Sequence, residues 1–290
     1  MKFPFKTVAL IGKQNAPEIT APLLSLAAFL TSRGLNVVVD SVSAKPLTNH
    51  PYRSMELTEI GGEVDLAIVL GGDGTMLNIA RTLSLSHVPL VGVNQGRLGF
   101  LTDLTLDNMQ GTMAAMLDGK FVTEQRLLLA ARVVRGDIEV YSGRAFNEVV
   151  VYRKNTSSMI EFEVRIDGEY LYNQRADGLI VSTPTGSTAY AMSAGGPILH
   201  PSLDVLELVP ICPHTLSNRP IVVQGSAELE IVVPRSGEIQ VRFDSHSSYD
   251  LQVNDKVIVS RHPETVYLLH PVGHSYYHTL REKLLWNQTF

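Results

Sequence analysis

The sequence predicts an α/β first half built on a mostly parallel sheet, followed by an all-β, sandwich-like second half. Three observations carry that reading. Short β-branched runs alternate with longer helical patterns through the first 125 residues or so. From Arg126 onward the chain changes to short strands separated by Gly, Pro, Asn and Asp. A glycine-rich turn, GGDGT at 71–75, stands between an apolar strand and a helical run. Repeated strand–helix–strand units imply a parallel sheet covered by helices, with ligands beyond the carboxyl ends of its strands. Closely spaced short strands imply packed antiparallel sheets.

Taken in order, residues 6–11 form a short apolar run and read as the first strand. Residues 18–32 are rich in apolar residues, with Gly34 as the stop, and read as a helix. Residues 37–40 and 65–70 are the next two strands. After the glycines, 76–85 read as a helix, 88–93 as a strand, and 107–117 as a helix closed by Gly119. In the second half, Ile160, Phe162, Val164 and Ile166 alternate with Glu161, Glu163 and Arg165. That period of two marks a half-buried strand over 159–166, and Asp167-Gly168 signals a hairpin to 169–172. Further strands are expected at 179–182, 229–233, 240–243, 256–260 and 266–269. Residues 276–286 return to helical character. The expected division is an α/β domain over 1–142, an all-β domain over 143–270, and a closing segment, 271–290, that packs back on the first domain.

At 290 residues, with 44% hydrophobic and 18% charged, the chain can bury a large core and has no apolar run approaching membrane-spanning length. A formal net charge of -5 argues against a general nucleic-acid-binding surface. Cys212 is the single cysteine, so no internal disulfide forms, and an inert, partly buried thiol is expected there. The N-terminal stretch does not read as a secretory signal, and a reducing cytoplasm is the expected setting.

Gly71, Gly72 and Gly74 follow a strand and precede a helix, where backbone amides can turn toward a phosphate. Neither the G-x-x-x-x-G-K-[ST] pattern nor the dinucleotide fingerprint is present. Asp73 among these glycines has two readings at this point. It caps the following helix, or it takes the proton of a hydroxyl that attacks a terminal phosphate while amides and a metal neutralise the phosphate charge. The second constellation is DGLIVSTPTGSTAYAMSAGGP at 177–197. Its hydroxyls, its Gly186, Gly195 and Gly196, and the ring of Tyr190 outline a polar pocket wall.

These two motifs, with NEVVV at 147–151 and NQGRLGFLTD at 94–103, resemble the NAD kinase family over most of the chain. GGDGT is shared with diacylglycerol kinase-like lipid kinases and phosphofructokinases; the 177–197 segment is far more specific. The resemblance implies an enzyme that phosphorylates the 2′-hydroxyl of the adenosine ribose of NAD with ATP, with NAD held between an α/β and an all-β domain. It implies Asp73 as the base, and Gly71, Gly72, Gly74 and Thr75 as the phosphate loop. Asn147 and Glu148 match the pair that holds the adenosine part. Asp177, Thr185, Thr188, Ala189, Tyr190, Ala191, Met192 and Ser193 match further positions around NAD. Ser158 and Arg175 fall at pocket positions that vary within the family. Where the family has Asp-Gly-Gln or Asp-Ser-Gln, this chain has Asp244-Ser245-His246, which makes His246 an NAD contact with an imidazole in place of an amide. The resemblance also implies a homodimer or homotetramer.

No compact cluster of ligating residues forms a protein cage in the sequence, so Mg2+ is expected to arrive with ATP. His270, His274 and His278 recur every fourth residue, but Pro271 and Gly273 break the helix that would align them on a metal. Lys13 is placed either against phosphate or in solvent. Two rival functions stay open at this stage: a lipid or sugar kinase, and a dinucleotide sensor without catalysis.

Overall fold

The computed structural model describes residues 5–47, 50–96, 98–155, 159–235 and 237–286. The chain forms two compact units, one of Met1–Gln125 with Val266–Phe290, the other of Arg126–Thr265.

The first unit contains β1 (Thr7–Gly12), α1 (Thr20–Ser32), β2 (Asn36–Asp40), α2 (Ser41–Ala44), β3 (Arg53–Met55), α3 (Leu57–Ile60), β4 (Leu66–Leu70), α4 (Asp73–Leu83), β5 (Leu90–Asn94), β6 (Leu104–Thr105), α5 (Met109–Leu117) and β7 (Phe121–Arg126). The last strand of the chain, β20 (Val266–Pro271), joins the same sheet, whose order is β3-β2-β1-β4-β5-β20-β7 with β6 beside β5. The pairs β1–β2, β1–β4, β4–β5 and β5–β20 are parallel. Strands β4 and β5 are buried along their whole length, as unbroken apolar runs covered on both faces should be. Helix α1 buries Leu23, Leu26, Ala27 and Leu30, the i, i+3, i+4, i+7 stripe of an amphipathic helix. The strand order reverses at β1, so the turns after β1 and β4 lie side by side at the switch point where α/β sheets bind ligands.

The second unit contains β8 (Leu129–Arg135), β9 (Ile138–Ala145), β10 (Glu148–Arg153), β11 (Ile160–Ile166), β12 (Glu169–Ala176), β13 (Gly178–Ser182), α6 (Tyr190–Ser193), β14 (Val205–Ile211), β15 (Ile221–Gln224), β16 (Leu229–Val232), β17 (Ile239–Phe243), β18 (Ser247–Leu251) and β19 (Lys256–Arg261). They make two sheets, β15-β14-β13-β10-β17-β18 and β12-β11-β16-β19-β8-β9, antiparallel throughout. Inward residues of both sheets, among them Val149, Val151, Phe162, Val164, Val181, Ile231, Phe243 and Val257, share one core. This is the expected fold class: a mostly parallel α/β unit and an antiparallel β unit.

Two boundaries differ from the sequence reading. The expected division after 142 falls inside β9, which pairs with β8, and β8 pairs with β19; the sandwich therefore begins near Arg126. The expected division after 270 falls inside β20, whose Leu268 pairs with Leu90 of β5, so this strand belongs to the parallel sheet and not to the sandwich. α7 (Tyr276–Leu284) follows it in the first unit, with Ser275 accepting at its N-terminus from the His278 amide. No helix among the described residues is long and apolar enough to cross a membrane.

Candidate active site

In the first unit the GGDGT turn links β4 to α4. Gly72 is the N-cap and makes no side-chain cap, and Asp73 is the first helical residue. The Asp73 carboxylate reaches instead to the segment 99–102. Its Oδ2 accepts from the Phe100 amide at 2.9 Å, and its Oδ1 from the Leu101 amide at 3.0 Å and the Thr102 hydroxyl at 3.4 Å. Thr102, fully buried, also accepts from the Asn94 side-chain amide at 3.1 Å. Gly99 makes this approach possible, since a Cβ there would overlap Asp73 Oδ1 and the Thr102 hydroxyl. The capping reading is thus corrected: Asp73 is held across to the NQGRLGFLTD segment. A carboxylate has about four acceptor positions, so capacity for a further donor is left after these bonds.

The glycines divide in role. The Gly71 amide donates to the Val93 carbonyl at 2.9 Å, so it serves the sheet and is not turned toward a phosphate as expected. The Thr75 amide likewise closes onto the Gly72 carbonyl at 3.0 Å. The sides of Gly72 and Gly74 where a Cβ would stand face open space. At the adjacent turn Lys13 is exposed and its amide donates to Leu70, beside a cavity also lined by Asn15, Ser43 and Lys45.

In the second unit the 183–196 segment folds over the outer face of β10, β13 and β14. Val150, Ile180 and Val209 on that face are covered by Ala191. One step along the same face, the register places Glu148, Ser182 and Glu207 in one row across the three strands. The segment fixes its own shape with its hydroxyls. Thr183 donates to the Phe146 carbonyl at 2.8 Å and Ser187 to Pro184 at 2.7 Å, while Ser187 accepts from the Leu199 amide at 3.0 Å. Gly186 lies directly on Asn147 and Ser182, with no room for a Cβ. These buried hydroxyls build the wall from behind. Thr188, Ala189, Tyr190, Met192 and Ser193 are partly or fully exposed along it, whereas Thr185 is buried and accepts from the Arg126 guanidinium at 3.2 Å. The Tyr190 ring lies 6.0 Å from the Arg242 guanidinium.

Asn147 and Glu148 are positioned by a residue that sequence reasoning treated only as a motif remnant. Asp244, 2% exposed, accepts from the amides of Phe146, Asn147 and Glu148 at 3.0, 2.9 and 3.2 Å. Burial first, and the Asp244 charge second, push the Glu148 carboxyl up to about 8 against the opposing pull of Arg242. Glu207, fully buried, is pushed up to about 8 by burial, opposed by the Ser182 hydroxyl and assisted by the Glu148 charge. Both shifts favour the protonated acid, which relieves the cost of burying the carboxyl oxygens.

His246 closes the β17–β18 turn through its amide, which donates to Phe243 at 3.2 Å. Asp177 is bound by the Arg153 guanidinium at 2.9 Å. Arg175 is exposed on β12 and lines a groove with Arg153, Asn155, Glu161 and Arg235. Ser158 lies outside the described residues. Cys212 is exposed and left-handed in backbone, not partly buried as expected.

The strand-to-helix GGDGT turn of the α/β unit and the glycine- and hydroxyl-rich segment of the β-sandwich are the two candidate ligand-binding features of a chain whose relatives are phosphotransferases of the kinase class. Comparison with known proteins makes the class particular. Residues 8–121 match the model of the ATP-NAD kinase N-terminal domain, and residues 146–270 that of the ATP-NAD kinase C-terminal domain. The chain belongs to the ATP-NAD kinase family. It is 59% identical to the NAD kinase of Nitrosomonas europaea, over 98% of this chain and 96% of that one, and 58% identical to that of Nitrosospira multiformis, over 99% and 98%. Its structure is similar to yeast NADH kinase complexed with NADH, with a TM-score of 0.90 at 26% identity over 99% of this chain and 89% of that one. The NAD kinase of Archaeoglobus fulgidus in complex with ATP shares the fold, with a TM-score of 0.73 at 24% identity over 97% of each chain.

Proposed function

We propose that this chain transfers the γ-phosphoryl group of ATP to the 2′-hydroxyl of the adenosine ribose of NAD, with Asp73 as general base. The observation that carries the reading is the Asp73 carboxylate, fixed by the Phe100 and Leu101 amides at the start of α4. A base must be held in place with a lone pair left to take the proton, and a carboxylate fixed by two amides meets both needs. As the ribose oxygen attacks the γ-phosphorus, its proton passes to Asp73. The bond from the γ-phosphorus to the bridging oxygen breaks, and ADP leaves with the electron pair. The α4 N-terminus and the open sides of Gly72 and Gly74 suit the phosphates. With the Asp73 carboxylate engaged by backbone donors, Mg2+ arrives with the nucleotide, held by phosphate oxygens and water, and neutralises phosphate charge there.

The 183–196 segment, with Asn147 and Glu148, binds the dinucleotide; protonated Glu148 offers it an O–H donor. Arg175 disfavours the reduced nicotinamide, giving a preference for NAD over NADH. Self-association as a homodimer or homotetramer and a cytoplasmic setting complete the reading. The test is incubation of the pure protein with NAD or NADH and magnesium-ATP, followed by identification of the product. NADP formed faster than NADPH is the expected result; phosphorylation of neither dinucleotide would overturn it.

A further inference from the structure

Away from the GGDGT turn, the first unit gathers four ionisable side chains from separate stretches of chain. The His270 side chain, at the end of β20, is 3% exposed; its Nδ1 meets the Asp103 carboxylate, and its Nε2 lies 2.8 Å from Oε2 of Glu124 on β7. The chain then turns at Pro271 and Gly273. The turn does what a helix could not: the His274 ring stacks on that of His270 with centroids 4.1 Å apart, and its Nδ1 comes 3.3 Å from Asp103 Oδ2. One ligating atom from each of Asp103, His270 and His274 lies within 4.8 Å of the others. The Asp103 side chain is 8% exposed, and its Oδ1 is buried with no hydrogen-bond partner.

We propose that Asp103, His270 and His274 bind one transition-metal dication of the zinc type, separate from any magnesium carried by a nucleotide. Two imidazole nitrogens and one carboxylate oxygen suit zinc or cobalt, whereas magnesium and calcium want oxygen throughout. Glu124 supplies what such sites use behind a histidine ligand: a carboxylate on the far ring nitrogen, which fixes ring and tautomer so that the near nitrogen faces the metal. The two carboxylates that face the His270 ring, Asp103 and Glu124, also supply negative charge that attracts a dication. The unclaimed Asp103 Oδ1 supplies the remaining lone pairs. Bound there, the ion ties the turn after β20 to the segment whose Phe100 and Leu101 amides hold Asp73.

The full chain, stripped with chelator, is titrated with Co2+ at about pH 8 without nucleotide, and its visible absorption is followed. One equivalent should develop the ligand-field bands of nitrogen-ligated cobalt, and Zn2+ should abolish them. His274, the most exposed of the three ligands, is the position that folding tolerates best. His274→Ala should weaken cobalt binding by at least about tenfold, and Glu124→Gln by about 10- to 100-fold. Zn2+ should raise the Tm of the wild type but not of His274→Ala. Absence of the bands from the wild type, or an identical titration of His274→Ala, would overturn the proposal and leave a charge cluster held by a proton alone.

Discussion

Asp73 joins two positions in one carboxylate: it holds the 99–102 segment and stands at the start of α4, the helix proposed to face phosphate. Asp73→Asn separates them. The amide keeps the size but turns an NH2 toward one of the two backbone donors, so thermal stability should fall by several degrees. If Asp73 is also the base, kcat should fall by about 10²- to 10⁴-fold with NAD affinity changed only a few-fold. A lowered Tm with kcat within a few-fold of wild type would leave Asp73 as a clamp alone. The sequence exposed the aspartate, because an acid in a glycine-rich turn between a strand and a helix needs a reason. Its partners were not legible, since Phe100 and Leu101 act through backbone amides that no side-chain pattern reports. The same holds for Asp244, whose three amide contacts arise only when β17 is paired with β10.

At the scale of elements, the outer face of β10, β13 and β14 sets an unusual demand. Glu148 and Glu207 occupy positions where the neighbouring rungs hold Val150 and Val209, and both are buried. Each folded-state pKa is about 8, above an ordinary carboxyl value of 4.5, so the folded chain retains protons that the unfolded chain has released. Their contribution to stability is therefore full below about pH 4.5 and is lost as pH rises through about 8. Glu207→Gln keeps the shape and removes one titration. The Tm decrease between about pH 5.5 and 8.5 should be several degrees smaller in the variant than in the wild type, at about 2–4 °C per kcal/mol for a chain of this size. An unchanged decrease would show that Glu207 is ionised in both states. Strand positions such as 160–166 were legible because alternation marks a face against water. β10 was harder to read, because both of its faces are covered and no alternation marks one of them against water.

For the whole molecule, the decisive feature is that the first unit is closed by the end of the chain. β20 enters the parallel sheet between β5 and β7, after the entire sandwich has been made. Sequence pattern could not reveal this, since a short apolar strand carries no mark of which sheet it joins; the series before it, in which β1 to β4 are each followed by a helix, was readable for the opposite reason. The consequence is testable by truncation. A chain ending at Thr265 loses the buried Val266, Leu268 and Leu269, each worth about 1.5–3 kcal/mol, and leaves the buried Asp103 carboxylate without His270, a further loss of about 3–5 kcal/mol. Together these match a typical total stability of about 5–15 kcal/mol. Hydrogen exchange at the amides of β1 and β4 should then become fast, while the sandwich strands keep their protection. A chain ending at His274 retains β20 and both histidines and loses residues 275–290, with α7 and its buried Thr279 and Leu280, so β1 and β4 should stay protected at a modestly lower Tm. Full protection of β1 and β4 in the chain ending at Thr265 would mean that the sheet is complete without its last strand.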